Sequence, residues 1–235
     1  MKWLGLRSKK HRRSGLDPHA STIYAAAALV LAYPHQELID RLDPIEEAVA
    51  SAGATDAFAP VLAHLREDLT QVQCHYAQEF DYSRRHALNL TYWIDGDTRR
   101  RGESLLRYKQ AYRDSGLWVD LDGELPDYLP MVLEYAVHDP TGGRELLTTS
   151  RPALELLRLA LRDDDLPHEG VVAAVCATLP GESPNDRLSV ARMSGWQPPT
   201  ETVGIGAEPV LAPYSMSAPS MPHGARLPLI DAQEL

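Results

Sequence analysis

The clearest hydrophobic pattern in the chain runs from Phe58 to Phe80. Phe58, Leu62, Leu65, Leu69, Val72, Tyr76 and Phe80 recur at spacings of three and four, which draws one apolar stripe along a predicted helix of about six turns. Thr55 or Asp56 is the expected cap, with Pro60 tolerated in the first turn. Upstream, Ser21 is placed to cap a helix that carries the Ala25–Ala28 tract and stops before Pro34. Pro44 opens a short helix ending near Gly53. Downstream, a helix from Ser83 ends at the acidic turn Asp95-Gly96-Asp97, and Thr98 is placed to cap the next. That helix turns Leu105, Tyr108 and Tyr112 inward and ends at Gly116, a left-handed cap.

Further helices are predicted from Asp127 to His138 and from Thr141 onward. Another follows Ser150, with Leu154, Leu157 and Leu161 inward, and a last one starts at Asp165 with Val171, Val175 and Leu179. No strand-like alternation interrupts them. The pattern predicts an all-α fold: one domain of about eight helices over residues 20–180, preceded by a basic flexible arm over 1–19. From 181 the stripe disappears and eight of the 18 prolines crowd into the remaining residues, which predicts a disordered Pro/Gly/Ser-rich tail over 181–235.

Composition agrees with helix. Leucine occurs 33 times and isoleucine only 6, so β-branched residues are scarce. The net charge of −10 conceals an asymmetry, because six basic side chains and no acid fall within residues 1–13. The rest carries 17 basic against 33 acidic groups. An acidic body repels nucleic acid and suits a basic peptide partner, although solubility alone also accounts for it. The basic run with Arg12-Arg13 ahead of Ile23–Tyr33 imitates an export signal. Asp17 and Pro18 break the transition, and the apolar run is shorter than the roughly 20 residues a membrane span needs. A buried first helix is the expectation, with no stable membrane insertion. Cys74 and Cys176 match no metal spacing and fall on apolar helical positions, which predicts buried thiols.

A search for chemistry returns little. Asp120, Asp122 and Gly123 imitate a calcium loop, but Trp118 and Leu129 would stand at its first and twelfth positions and cannot ligate a hard cation. Gly204-Ile205-Gly206 lacks a third glycine, and no histidine pair has helical ligand spacing. No metal, cofactor or catalytic residue is predicted. Three constellations remain. Glu124-Leu125-Pro126-Asp127-Tyr128 puts two acids where a helix begins, beside Tyr128 and Tyr135; capping explains Asp127, and a peptide groove would use both acids. Tyr82, Tyr92, Trp93, Tyr108 and Tyr112 form an aromatic group around the acidic turn. Arg84, Arg85 and Arg99–Arg101 form a basic surface, for which salt bridges to nearby acids are the plainer reading.

The order of residues in FDYSRRHALNLTYWIDGDTRRRGESLLRYKQAYRDSG, continued by ELPDYLPMVLEYAV and preceded by Leu31-Ala32-Tyr33-Pro34, resembles the NarJ family of nitrate reductase molybdenum cofactor assembly chaperones. That family lies within the TorD-like redox enzyme maturation chaperones. The likeness spans roughly residues 20–180 and omits the arm and tail. It implies a cytoplasmic, non-enzymatic chaperone of nitrate assimilation without a cofactor of its own. Its partner would be the N-terminal segment of the nitrate reductase catalytic subunit, alone or as the catalytic/iron–sulfur pair, held open until the molybdenum cofactor is inserted. On this reading Glu124 and Asp127 read basic client residues, and Tyr128, Tyr135, Tyr82 and Tyr92 line the groove. A sibling chaperone for another molybdoenzyme, or a small helical enzyme or ligand-binding regulator, is the alternative.

Overall fold

The computed structural model describes residues 17–96, 98–121 and 123–193; the arm before Asp17 and the tail beyond Met193 lie outside the described residues. Asp17 starts the first helix, its carboxylate accepting the His19 amide at 3.1 Å, and α1 runs Pro18–Val30. Proline at the first helical position loses only an N–H that has no intrahelical partner. The cap therefore lies four residues before the predicted Ser21. A single turn, α2 (Gln36–Ile39), leads to α3 (Leu42–Ser51), which starts two residues before Pro44.

The predicted six-turn helix is broken. α4 (Thr55–Leu65) stops at Arg66, α5 (Leu69–Tyr76) restarts after Asp68, and a π-helical turn, Ala77–Tyr82, completes the segment. The Asp68 carboxylate accepts the Gln71 amide at 3.1 Å, a cap that launches the second piece. Arg66 at the break bonds Asp43 at 2.8 Å and Glu46 at 2.6 Å. Phe58, Leu62, Leu65, Val72, Tyr76 and Phe80 are nevertheless buried, and Leu69, at the break, is half-buried. Periodicity reports which side chains go inside; it does not register a break that preserves their phase. Pro60 falls in the second turn of α4, not the first, on its exposed side.

Ser83 caps only a short 3-10 turn, Arg84–His86, so the helix expected from Ser83 shrinks to α6 (Leu90–Asp95). α7 (Arg100–Asp114) follows; Thr98 donates to the Asp95 carbonyl instead of capping it. Gly116, at φ +69°, closes the helix in the left-handed region as predicted. Then come α8 (Leu129–His138), α9 (Pro140–Thr149) capped by Asp139, α10 (Arg151–Asp163) and α11 (Glu169–Ala177). Asp165 adopts φ +53° ahead of α11 and does not cap it. Among the described residues there are twelve α-helices, more than the eight expected, because short turns replace longer predicted helices. Among the described residues, strand-like pairing is confined to an antiparallel bridge between Asn89 and Tyr128.

The core gathers Tyr24 of α1, Phe58 of α4, Leu133 of α8, Leu154, Leu157 and Leu161 of α10 and Val171 and Val175 of α11. Two glycines permit close helix approach. A Cβ at Gly143 would collide with the backbone of Ala136, where α9 crosses α8, and one at Gly170 would strike the Ala57 carbonyl of α4. Cys176 is buried, but Cys74 is exposed, contrary to expectation.

The boundary expected at 180 also moves. Residues 181–186 form a strap along α10 that leads into α12 (Arg187–Met193). Glu155, fully buried, accepts from Arg158 Nε at 2.7 Å and Ser183 Oγ at 2.6 Å, with Arg151 at 3.4 Å. Arg151 donates to the Pro180 and Gly181 carbonyls and Arg158 to that of Pro184. Val190, 1% exposed, seats α12 on α10.

Candidate functional site: two recesses beside a backbone bridge

Both recesses depend on one local arrangement. The Leu129 amide donates to the Leu88 carbonyl at 2.8 Å and the Leu90 amide to the Asp127 carbonyl at 3.1 Å, pairing the lead-in to α6 with the lead-in to α8. The Asp127 side chain reinforces the pairing. Its carboxylate accepts the Thr91 amide at 2.9 Å, the Thr91 hydroxyl at 2.6 Å and Asn89 Nδ2 at 3.2 Å. Asn89, at the helix start, makes no side-chain cap bond, so Asp127 satisfies the first turn of α6 from across the bridge. Leu88 and Asn89 line the smaller recess; Leu90 and Thr91 line the larger groove.

The groove encloses about 1750 Å³ between α6 and α7 on one side and the end of α8, α9 and the start of α10 on the other. Leu90, Ile94, Leu117, Val137, Leu146 and Tyr135 supply apolar lining, and Met193 of α12 contributes from its end. Asp95, Asp114, Asp139 and Glu145 supply acids, against Arg107 and the buried Arg151. Tyr135 is 4% exposed, packs edge-on against Tyr112 at 4.8 Å and donates to the Asp139 carboxylate at 2.8 Å. Tyr108 bonds Ser150 at 2.5 Å, and burial pushes its hydroxyl up to about 12. Burial raises Tyr112 and Tyr135 as well, so these phenols stay neutral; Tyr108 and Tyr135 act as hydrogen-bonding, apolar wall, with Tyr112 packed against Tyr135.

The smaller recess, about 360 Å³, lies among Tyr33, His35, Tyr76, Phe80, Asp81, Leu88, Asn89, Glu124 and Tyr128. Tyr76 donates to the Leu31 carbonyl at 3.1 Å and bonds the Tyr128 hydroxyl at 3.1 Å, which fixes two rings of its wall. Tyr33 stands edge-on to Tyr76 at 5.4 Å. Burial raises the Asp81 carboxyl above its ordinary value, a group whose charge is incompletely solvated. Acids among aromatic faces favour a cationic guest, which gains from both the carboxylates and the ring quadrupoles.

The expected site residues therefore separate. Glu124 and Tyr128 line the small recess, and Tyr135 lines the groove. Tyr82 is 85% exposed next to Asp81. Tyr92 is half-buried, with the Arg101 guanidinium 5.9 Å over its ring. Asp127 differs from the others: it is 0% exposed and its carboxylate is committed to Thr91 and Asn89. Of the basic surface, Arg85 pairs with Asp164 at 2.7 Å, in line with the plainer reading. Tyr33, His35, Tyr76 and Asp81 line the recess without a local sequence signal that marks a site, and Tyr76 reads from its spacing as core. Elsewhere His64, His75 and His168 cluster, with ring centroids 4.8 Å and 6.1 Å from His64. Among the described residues no group of three His, Cys, Asp or Glu is disposed to hold a metal ion, and no helix is long and apolar enough to cross a membrane.

Comparison with known proteins converges. The chain is 38% identical over 160 residues to the nitrate reductase-like protein NarX of Mycobacterium tuberculosis, covering 66% of this chain and 24% of that protein. It is 30% identical over 120 residues to the probable nitrate reductase molybdenum cofactor assembly chaperone NarJ of Bacillus subtilis, covering 48% and 63%. The NarJ chaperone of Escherichia coli is 31% identical over 140 residues, covering 57% and 59%. The matched part is thus less than two thirds of each of these relatives. In fold, a crystal structure of a redox enzyme maturation protein from Archaeoglobus fulgidus superposes with a TM-score of 0.52 at 19% identity, covering 72% of this chain and 98% of that one. The family model described as nitrate reductase delta subunit matches residues 45–173, more than half of the chain, and on that match this protein belongs to the nitrate reductase delta subunit family.

Proposed function

We propose that this chain is an assembly chaperone of a respiratory nitrate reductase. It binds the N-terminal segment of the catalytic subunit and holds that subunit competent for molybdenum cofactor insertion before membrane docking. The observation that carries the reading is the groove of about 1750 Å³, with apolar lining and four acids, in a member of this family. Two relatives bear the name of nitrate reductase molybdenum cofactor assembly chaperones. A groove of that size and openness suits a peptide segment better than a small metabolite, whose pocket would enclose most of its surface. An amphipathic basic segment would lay its apolar face on Leu90, Ile94 and Leu146 and direct its charges to Asp114 and Glu145. Glu124 and Asp81, with Tyr128, receive one cationic side chain in the small recess, and the exposed Tyr82 lies at hand beside Asp81.

Binding of this kind is suited to release. A segment that orders as it binds loses conformational entropy, which lowers affinity for a given buried area. Long-range attraction between the acidic body and a basic segment speeds encounter and weakens with salt. The work is done in the cytoplasm, and the catalytic/iron–sulfur pair is the largest form of the client.

The test is to express the catalytic subunit with and without this chain, co-purify, and measure molybdenum. The subunit made with the chain should carry molybdenum and retain the chain until loaded; equal molybdenum content in both preparations refutes the proposal. Titration of a client N-terminal peptide should also weaken for Glu124→Gln with Asp81→Asn, most strongly at low salt.

A further inference from the structure

We propose that the strap 181–186 and α12 form one wall of the groove, and that this wall helps choose which client segment binds. The inference rests on the groove being the client site.

Three observations meet at one end of the groove. Met193 of α12 lines it and is 42% exposed, so an apolar surface waits there for a guest. Val190, on the same face one turn earlier, is 1% exposed against α10, so α12 is seated and its position is defined. The strap that delivers it is fastened by Arg151, Glu155 and Arg158, which are buried and bonded to Ser183 and to the carbonyls of Pro180, Gly181 and Pro184. Releasing the strap would strip partners from buried charges, which holds it down. Arg151 itself lines the groove, joining fastening and wall in one side chain.

The family match ends at residue 173, so the strap and α12 lie beyond it, whereas Tyr108, Tyr135 and Leu146 of the lining lie within it. The shared part of the groove supplies general affinity. The end beyond the match meets the guest with Met193, and discrimination between clients is expected where the lining lies outside the matched segment. The occupant is the N-terminal segment of this chain's own nitrate reductase catalytic subunit, with an apolar side chain placed against Met193. The groove's acids, Asp95, Asp114, Asp139 and Glu145, argue for basic residues beside it.

The experiment uses the full chain and two fluorescent peptides: the N-terminal segment of its own catalytic subunit and that of the Escherichia coli enzyme. Anisotropy gives the affinity for each. Met193→Ala should weaken the own peptide by about fivefold, and Met193→Glu by more than about tenfold. Both should narrow the ratio between the peptides. Should Met193→Glu fail to fold by circular dichroism, the alanine variant decides. Affinities within about twofold of wild type and an unchanged ratio overturn the inference while leaving the client site standing. A wild-type chain that binds neither peptide overturns the groove as client site and this inference with it.

Discussion

Asp127→Ala should lower folding stability by about 3 kcal/mol, and the loss is traceable to one cluster of bonds. The carboxylate is wholly buried and accepts the Thr91 amide at 2.9 Å and the Thr91 hydroxyl at 2.6 Å, with Asn89 Nδ2 at 3.2 Å. Thr91 is 4% exposed, so water does not replace the lost acceptor. A buried donor left unsatisfied costs about 1–3 kcal/mol, and loss of a helix cap costs about 1 kcal/mol. The Thr91 hydroxyl already accepts from Arg101 Nε at 3.2 Å, so its own proton is left pointing at nothing. For a domain of this size the melting temperature should fall by about 6–12 °C. Asp127→Asn keeps an acceptor for the Thr91 amide and should cost only about 1 kcal/mol.

Thermal melts by circular dichroism, with hydrogen exchange at the Thr91 amide, measure the effect. A role for Asp127 in reading a client would produce the opposite result: the Asn variant would melt normally and lose peptide affinity. An Ala variant that melts within about 1 °C of wild type, with Thr91 still protected from exchange, refutes the structural account.

Other predictions address the rest of the body. Burial, then the neighbouring His64, His75 and His86, lowers His168 to about 3; since the folded value lies below the unfolded one, its contribution is complete above pH 6.5 and drains as pH falls toward 3. About 2–3 kcal/mol should be lost between pH 6.5 and 4.5 in urea titrations, and His168→Leu should flatten that slope. Glu155→Ala takes the buried carboxylate from Arg151 and Arg158, leaving them the 180–184 carbonyls and Glu169 at 3.6 Å, and should cost about 3 kcal/mol by urea unfolding, whereas Arg187→Ala, on an exposed pair with Asp163 at 3.4 Å, should leave the urea midpoint unchanged. Gly143→Ala forces α9 away from Ala136 and should cost about 1–3 kcal/mol, read in the same assay; full stability would contradict the close approach. Asp68→Ala removes the cap that restarts the helix at Leu69 and should cost about 1 kcal/mol by thermal melting.

The helical class, the burial of the Phe58–Phe80 stripe and the left-handed end at Gly116 were legible because each depends on neighbours in sequence. Glu124 and Tyr128 were singled out from an acid–proline–acid–aromatic string, and both line a recess. For Asp127, from the same string, spacing already offers helix capping as the plainer reading. Local spacing says that a carboxylate stands near a helix start; it does not say whose helix. The carboxylate serves α6, 36 residues earlier, and only the bridge to Asn89 brings that helix within reach. The order of residues 181–193 was hidden for a related reason. Arg151, Glu155 and Arg158 share one helix face by their spacing, but charged residues on a face ordinarily point to solvent.

What the chain determines by itself is short-range: where apolar residues recur at helical spacing, where prolines and glycines stop a helix, and the ordered string that marks the family. Tertiary structure decides which polar groups lose water. Backbone pairing at 88–90 and 127–129 buries Asp127 while leaving its neighbour Tyr128 to line a recess, and the approach of 180–184 to α10 turns three charged side chains into a buried clasp. Whether a carboxylate binds a guest or holds the fold together depends on partners distant in sequence, and those partners exist only once the helices have packed.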